Sequence, residues 1–579
     1  MPTTLETLRA AFVTAVESEY HTDVDPLLVP TANEKFGDYQ SNVAMALARP
    51  LKAKPRDVAE RVKATAERLL AGVADRLEIA GPGFINVYLS PAWLAGQATA
   101  LLGDVRLGVP KVESPRRVVV DYPSLNVAKE SHIGHLRPSA IGDAIARILA
   151  FRGDAIIRQN HIGDWGTAFG MLLTYIEQTG GGDESLVDIE KLYKSAKARF
   201  DHDEAFKTAS RHAVVRLQAG EPAERERWQH VIDLSRKHLD EVFGLLGLLV
   251  TRDDERGESF YNPHLSSTVD ELLRLGVAEH SEGAVVVWVK PFNTPLIVRK
   301  SDGGYGYAAT DLTALRYRTA ELRAQRLVYC ADVRQKQHFQ QFSDAARRAG
   351  WLGETQFEHV MFGTILGEDN KPYKTKSGES VKLLDVLREA IGRARTIVDA
   401  KNADLPDTAR AAVAKAVGIG AIKYFDLSRD RLTDYVFDWE NIMSMEGNTA
   451  PYLQYAYARV RAIFRKAGAD AQTASAAPGG GAASAVPPLA LESPEELRLL
   501  KHVLRFGEVI DDVARDLKPH VLCAYLYDLA TLFSGFYEHC PVLKSEGATR
   551  ATRLALCDLT ARTLALGLDL LGIEHPEQL

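Results

Sequence analysis

Two histidines flank an Ile-Gly pair at His132-Ile133-Gly134-His135, and a helix-like run, "LRPSAIGDAIARIL", begins directly after them. Backbone N–H groups at a helix start lack intrahelical partners, and the helix dipole favours negative charge there. Imidazoles three residues apart, with a glycine allowing close backbone approach, suit the phosphates of a nucleotide. They can donate hydrogen bonds to charge developing on a pentacoordinate phosphorus. A second loop, "GEDNKPYKTKSGES" (Gly367–Ser380), sets Lys371, Lys374 and Lys376 among Gly, Ser and Asn. A lysine loop of this kind can fold over a triphosphate and neutralise departing pyrophosphate. Taken singly, the first pattern also describes a capped turn, and the second a solvated surface loop.

The flanking elements favour the chemical reading. "RRVVVDY" before the histidine loop is a β-branched run typical of a buried parallel strand, and "DAIIRQN" follows the helix. Strand, helix, strand makes a βαβ unit with a right-handed crossover. "RLVYCADV", the helix-like "QKQHFQQFSDAARRAG" and "FEHVMFGTIL" repeat the pattern just before the lysine loop. Ligand then belongs at the carboxyl ends of the strands, where the two halves meet.

The expected fold is multidomain α/β, with a doubly wound parallel nucleotide-binding sheet at 111–385, split by a large insertion near 175–310. An N-terminal α+β domain (1–110) precedes it, closing on "GPGFINVYLS", where Pro82 and Gly83 break the chain before a strand at Phe84–Leu89. From about Leu384 the pattern is helical to the end, giving an all-helical domain at 386–579. Its one interruption is 467–494, rich in Ala, Gly, Ser and Pro. That composition buries too little apolar surface to offset its ordering entropy, so a flexible excursion is expected.

A chain of 579 residues is too long for one core, and two to four domains follow. Composition is that of a globular protein, 46% hydrophobic and 25% charged. The first twenty residues read as an amphipathic helix and not a signal peptide. No run approaches the ~18 apolar residues of a membrane span. Cys330, Cys523, Cys540 and Cys557 lack any C-x-x-C spacing. Such scatter argues against zinc or a disulfide framework and fits a reduced cytoplasm. A net charge of −7 gives no bulk attraction to nucleic acid but leaves room for a local basic face.

Together the two loops resemble the His-Ile-Gly-His and Lys-Met-Ser-Lys-Ser signatures of class I aminoacyl-tRNA synthetases. "FGDYQSNVAMALA", "GPGFINVYL", "NVAKESHIGHLR", "QNHIGDWGTAFGML", "GESFYN", "GYGYAATDL", "QKQHFQQF" and "NTAPYLQYAYARVRAIF" narrow the resemblance to arginyl-tRNA synthetases, in order along nearly the whole chain. The lysine loop departs from the pattern, reading Tyr373-Lys374-Thr375-Lys376-Ser377, so its first lysine is missing. Lys129, just before the histidine loop, occupies the position that compensates in that family.

The resemblance implies ATP-dependent attachment of L-arginine to its cognate tRNA through arginyl-adenylate, with Mg²⁺ accompanying ATP and no zinc. His132, His135, Lys129, Lys374 and Lys376 are then catalytic, and Gly134 joins them at ATP. Tyr307, Asp311 and Glu258 face the guanidinium, and Ser124, Asn126 and Gln335 hold the α-amino and carboxylate ends. A carboxylate meeting a guanidinium fork-to-fork is the natural partner for that planar cation. The family often has Glu where Asp121 stands, which leaves Asp121 without an assigned role.

For tRNA the resemblance implies elbow contacts from Phe84 and Asn86 and an anticodon surface beginning on "PYLQYAYARVRAIFRKA". Tyr452, Tyr455, Tyr457, Arg459, Arg461, Arg465 and Lys466 lie along that helix. Aromatics stack on unpaired bases and arginines meet phosphates. Tyr452, Tyr455 and Arg459 are the strongest candidates. The expected enzyme is a cytoplasmic monomer without membrane contact. Two other readings compete: a different nucleotidyl transferase with an H-x-G-H loop, and a non-catalytic tRNA-binding paralogue. The helical C-terminus weighs against the first, and the retained histidines and lysines against the second.

Overall fold

The computed structural model describes residues 2–128, 130–180, 186–374, 380–468 and 489–579. Its first element is the helix Thr4–Tyr20, started by a capping box in which Thr3 and Glu6 satisfy one another's backbone N–H groups. The N-terminal sheet is antiparallel, in the order β1 (Leu28–Pro30), β2 (Tyr39–Ser41), β4 (Phe84–Leu89), β3 (Ala74–Ala80). Strand β4 runs between the bounds set by the Pro-Gly break and the following Ser-Pro. Two helices, Val43–Leu51 and Pro55–Leu69, pack beside this sheet, and Val58, Val62 and Ala66 bury one face of the second.

The central sheet has four parallel strands in the order β11 (Gln356–Phe362), β10 (Arg326–Asp332), β5 (Arg117–Asp121), β6 (Ala155–Gln159). Two βαβ halves therefore meet between β5 and β10, as a doubly wound sheet requires. The helix that follows the histidine loop, Leu136–Arg152, crosses from β5 to β6 and is buried nearly all round, beyond the single apolar face its isoleucines suggest. Sheet covers one side and the C-terminal helices the other, which explains small residues such as Ala140, Gly142 and Ala144 along it. At Gly142 an added Cβ would lie 2.4 Å from Tyr122.

After β6 the chain leaves the sheet through four helices, Thr167–Thr179, Leu186–His202, Glu204–Ala219 and Pro222–Leu246. A three-stranded antiparallel sheet follows, of β7 (Glu279–Ser281), β8 (Ala284–Val287) and β9 (Leu296–Arg299). The helix Tyr307–Ala320 then leads back into β10.

The C-terminal region is not helical throughout from Leu384. Between the helices Asp407–Leu427 and Ala450–Ala467 the strand β13 (Tyr435–Val436) pairs in parallel with β12 (Ile365–Leu366). Both strands are two residues long, too short for periodicity to reveal. The final helices, Pro494–Leu504, Phe506–Asp516, Pro519–His539 and Gly547–Leu570, share a core with Leu499, Leu526, Phe533 and Leu564 at its centre. Of the low-complexity stretch 467–494, residues 469–488 lie outside the described residues. Its far end is part of the fold: Leu489 is buried, the Ala490 N–H donates to Thr552 Oγ1 at 2.9 Å, and Ser493 caps the next helix.

Candidate active site

The histidine loop is fastened by its own imidazoles. His132 Nδ1 accepts the N–H of Gly134 at 3.1 Å, and His135 Nδ1 accepts the N–H of His132 at 3.0 Å. With both Nδ1 atoms accepting, the neutral rings carry their proton on Nε2, the tautomer that donates to a phosphate oxygen. The rings stack at 3.7 Å between centroids. Gly134 is required by that packing, because an added Cβ would sit 2.9 Å from His132 Cε1.

The exit of the lysine loop is pinned to the same place. Ile133 N–H donates to the Val381 carbonyl and Leu383 N–H to that of Ser131, both at 2.8 Å, while Lys382 pairs with Glu130. At its entry, Tyr373 N–H donates to the Ile365 carbonyl at 3.0 Å, and the Tyr373 ring stacks on Phe437. Lys374 is exposed and its backbone pairs with Ser380. Lys129 and Lys376, with their expected roles, lie outside the described residues.

Past the carboxyl end of β5 the backbone turns sharply, with Ser124 at φ 55°. The Ser124 N–H donates to Asn160 Oδ1 at 3.1 Å, and its hydroxyl donates to the Asp121 carboxylate. Asn126 lies against Gly163, where an added Cβ would meet Asn126 Oδ1 at 2.3 Å. Asp121 is committed to Arg318, 2.7 Å away and fully buried, whose Nε donates to Gln159 Oε1 at 2.9 Å. A buried charge needs such a partner. Asp121 thus ties β5 to the helix Tyr307–Ala320.

That helix carries Asp311, whose Oδ2 lies 2.6 Å from His338 Nε2 and whose Oδ1 lies 4.0 Å from His161 Nε2. Burial alone would raise the Asp311 carboxyl. The His338 hydrogen bond and the positive potential of His338, His161 and Arg318 hold it below its ordinary value instead. Tyr307, one turn earlier, is 68% exposed and meets His338 edge-on at 4.8 Å. Glu258 opens the short helix Glu258–Tyr261, its N–H donating to the Ile162 carbonyl at 3.1 Å. Burial, and then the charges of Asp311 and Asp164, push the Glu258 carboxyl up to about 8. Asp164 is itself buried and accepts from Ser259 N–H at 2.9 Å and Ser259 Oγ at 2.6 Å. Gln335 is exposed, one residue before the helix Lys336–Arg348.

The structure thus brings Glu258 and Asp311 into one acidic cluster, with Asp164, His161 and His338 as members the sequence reading did not single out. Two signals pointed to them: a charged residue in the Gly-rich turn "HIGDWG" directly after the edge strand β6, and the one histidine of "QKQHF" a turn beyond Gln335. Three carboxylates and two imidazoles suit an organic cation. Among the described residues no group of three or more His, Cys, Asp or Glu is arranged to hold a metal ion.

The expected RNA residues divide by exposure. Tyr455 is 44% exposed, Tyr452 is half-buried beside Tyr527, and the Arg459 guanidinium lies 4.4 Å above the Tyr537 ring. Tyr457 is in the core against His575, and Arg461 and Arg465 engage Glu577 near the C-terminus. In the N-terminal sheet Phe84 is partly exposed, but Asn86 is 2% exposed and its Oδ1 accepts from Gln40 at 2.7 Å. Asn86 therefore presents Gln40 to the surface and does not present itself.

Comparison with known proteins agrees with this geometry. Residues 97–439 match the family model for class I (R) tRNA synthetase catalytic domains, 453–579 the DALR anticodon binding domain, and 5–89 the arginyl tRNA synthetase N-terminal domain. The chain is 47% identical over 568 residues to the arginine–tRNA ligase of Cronobacter sakazakii, covering 96% of each. It is 47% identical over 570 residues to that of Cellvibrio japonicus, again covering 96% of each. Among solved structures, the arginyl-tRNA synthetase of Plasmodium falciparum superposes with a TM-score of 0.87 at 28% identity, covering 100% of both chains. That of Thermus thermophilus gives 0.82 at 26% identity, covering 99% of both.

Proposed function

We infer the roles of individual residues from one premise: the chain belongs to the arginyl-tRNA synthetase family of class I aminoacyl-tRNA synthetases, and it attaches L-arginine to tRNA using ATP. In the proposed reaction the arginine carboxylate attacks the α-phosphorus of ATP, forming arginyl-adenylate and releasing pyrophosphate. A ribose hydroxyl at the tRNA 3′ end then displaces AMP. His132 and His135 donate to the phosphorus oxygens. Pyrophosphate is neutralised by one or more of Lys129, Lys374 and Lys376, and Mg²⁺ enters with ATP. Ser124, Asn126 and Gln335 hold the α-amino and carboxylate ends, while Tyr307, Asp311 and Glu258 enclose the guanidinium. No side chain becomes covalently linked, so catalysis is positioning and charge stabilisation.

The observation that carries this reading is the acidic cluster of Asp164, in the loop after β6, with Glu258 and Asp311, in the first turns of the helices Glu258–Tyr261 and Tyr307–Ala320. Glu258 is raised by burial and then by the charges of Asp311 and Asp164, so a cation placed beside it is favoured. The division into units near 110 and 385 follows the change from α+β to nucleotide-binding sheet to helices. Scattered cysteines fit a reduced cytoplasm, and a monomer is the proposed working state. Among the described residues no helix is long and apolar enough to cross a membrane.

ATP–pyrophosphate exchange tests the function. Exchange should require arginine and be fast only when tRNA is added, since an incomplete lysine loop suits a site finished by docked RNA. Exchange with arginine alone running as fast as with tRNA would remove the induced-fit step.

Arginine binding should also respond to pH. Arginine stays cationic, so it pairs with ionised Glu258, and the carboxyl near 8 must release its proton as the ligand enters. Affinity should therefore rise up to ~10-fold per pH unit from about pH 6 to 8 and level off above, with about one proton released per arginine at neutral pH. Calorimetry in buffers of different ionisation enthalpy reads that proton. A pH-independent affinity across the window removes Glu258 from the guanidinium.

On the helical domain, Tyr455→Ala and Arg459→Ala should each weaken tRNA binding by ~1–3 kcal/mol, the worth of a lost base stack or phosphate contact. Arginine and ATP binding should be unchanged. Unaltered tRNA affinity in both folded variants would move the RNA surface elsewhere.

A further inference from the structure

We propose that the buried ion pair Arg137–Asp426 is a positioning device for adenylate formation, holding the histidine loop in register with the lysine loop. Arg137 stands two residues beyond His135, in the first turn of the helix Leu136–Arg152. Its Nε lies 2.8 Å from Asp426 Oδ1, with the two side chains 1% and 0% exposed. Its Nη1 donates to the Thr433 carbonyl at 3.1 Å, and its guanidinium carbon lies 5.1 Å from the centre of the Tyr435 ring.

Tyr435 belongs to β13 and is paired with Ile365 of β12, the strand from which the lysine loop springs. Phe437, just beyond β13, donates its N–H to the Leu366 carbonyl at 2.9 Å and supports the Tyr373 ring. One guanidinium therefore joins the helix that starts at the histidine loop to the ribbon that starts the lysine loop. The loop's other end is fastened independently, through Ile133 and Val381. The two catalytic loops are thus spanned at both ends, with the Arg137 guanidinium at the ribbon end.

Stability does not explain that group. Burying two charges costs several kcal/mol of desolvation, and apolar residues of similar volume often replace such a pair without loss. What a guanidinium adds is direction, since its planar fork fixes one orientation against both acceptors. Asp426 lies within the helical region, on the helix Asp407–Leu427, whose Tyr424 donates to the Cys523 carbonyl at 2.9 Å. The pair therefore stands between the helical domain and the catalytic loops.

The proposal rests on the reading that these two loops hold ATP, and a His135→Ala control separates the two. Arg137→Leu, Arg137→Lys and the double variant Arg137→Leu/Asp426→Leu would be compared by melting temperature and by kcat and KM for ATP in arginine-dependent exchange with saturating tRNA. The single leucine variant should lose stability by leaving Asp426 buried and unpaired, and the double variant should regain most of it. Its kcat should nonetheless stay down by at least about tenfold with KM for ATP within about twofold, because a misplaced reacting group loses rate before binding. Arg137→Lys, which keeps the charge but cannot hold Asp426 and Thr433 together, should fall between the two. A double variant with wild-type melting temperature and wild-type kcat overturns the proposal, as does a kcat that follows the melting temperature across the series. If the double variant does not fold, Arg137→Lys decides, and wild-type kcat in that folded enzyme overturns it. If His135→Ala keeps normal turnover, the reading of the loops fails. If His135→Ala is slow while the pair variants run normally, only the role of the pair fails.

Discussion

A His135→Ala enzyme should form arginyl-adenylate ~10²–10³-fold more slowly than the parent while binding ATP and arginine nearly as well. The imidazole has two jobs, and the geometry separates them. Its Nδ1 accepts the His132 N–H at 3.0 Å and so shapes the loop. Its Nε2, protonated as a consequence, is the donor proposed to meet charge gathering on the phosphorus oxygens. A contact that strengthens in the transition state is lost from kcat and not from KM. His135→Asn distinguishes the two jobs, because an amide oxygen can accept the same N–H while placing no donor where Nε2 stood. If the ring is catalytic, asparagine and alanine should be about equally slow under saturating substrate. If it only caps the turn, asparagine should restore turnover, and that result would take His135 out of the chemistry.

The parts of the site that lie close together in sequence were legible before any coordinates. A β-branched strand, a loop with two histidines and a helix start are neighbours along the chain, so their types define a βαβ unit whose first loop is suited to phosphate. The strand Phe84–Leu89 was equally plain, because Pro82-Gly83 and Ser90-Pro91 bracket it. Tyr457 was legible in principle. It is about 200° around the helix from Tyr455, and it falls in the apolar row of Leu453 and Val460, both buried. Periodicity assigns it to the core once the helix is drawn. Asn86 was not legible. It sits in a strand paired on both edges, and its partner Gln40 comes from a neighbouring strand that the sequence does not place beside it. The same holds for Asp121, a lone charge ending an apolar strand. Its presence announces a buried partner, but nothing local says that the partner is Arg318, on a helix beyond the insertion. The acidic pocket has this character too. Glu258 and Asp311 carry no signal in isolation, and their meaning comes from Asp164, His161 and His338 around them.

Exchanging Asp311 for Asn should lower kcat/KM for arginine by roughly two to three orders of magnitude, at ~1.4 kcal/mol per factor of ten. Asparagine keeps size and shape but removes the charge and one arm of the fork. Truncating one partner of a buried charge pair costs ~2–5 kcal/mol, much of it from leaving the other charge unpaired. In the proposed complex that other charge is the substrate's guanidinium. His338 sharpens the expectation: it already holds Asp311 Oδ2 at 2.6 Å, so the oxygen left for the ligand is Oδ1. An amide in that place can turn its NH₂ toward the ligand and oppose the guanidinium donors outright. The neighbouring carboxyls respond in a definite direction. Asp311 is the largest charge raising Glu258, so removing it should bring the Glu258 carboxyl down from about 8. More of Glu258 is then ionised at neutral pH, and the rise of arginine affinity with pH should shift to lower pH. That shift separates a changed pocket charge from a changed pocket shape. Citrulline supplies the remaining control. Its ureido group is uncharged and needs no counter-ion, so its weak binding should fall much less than that of arginine. A generally damaged fold would penalise both ligands alike. Equal losses for arginine and citrulline, with the pH profile unmoved, would return Asp311 to an ordinary place in the first turns of its helix and leave the guanidinium to Glu258.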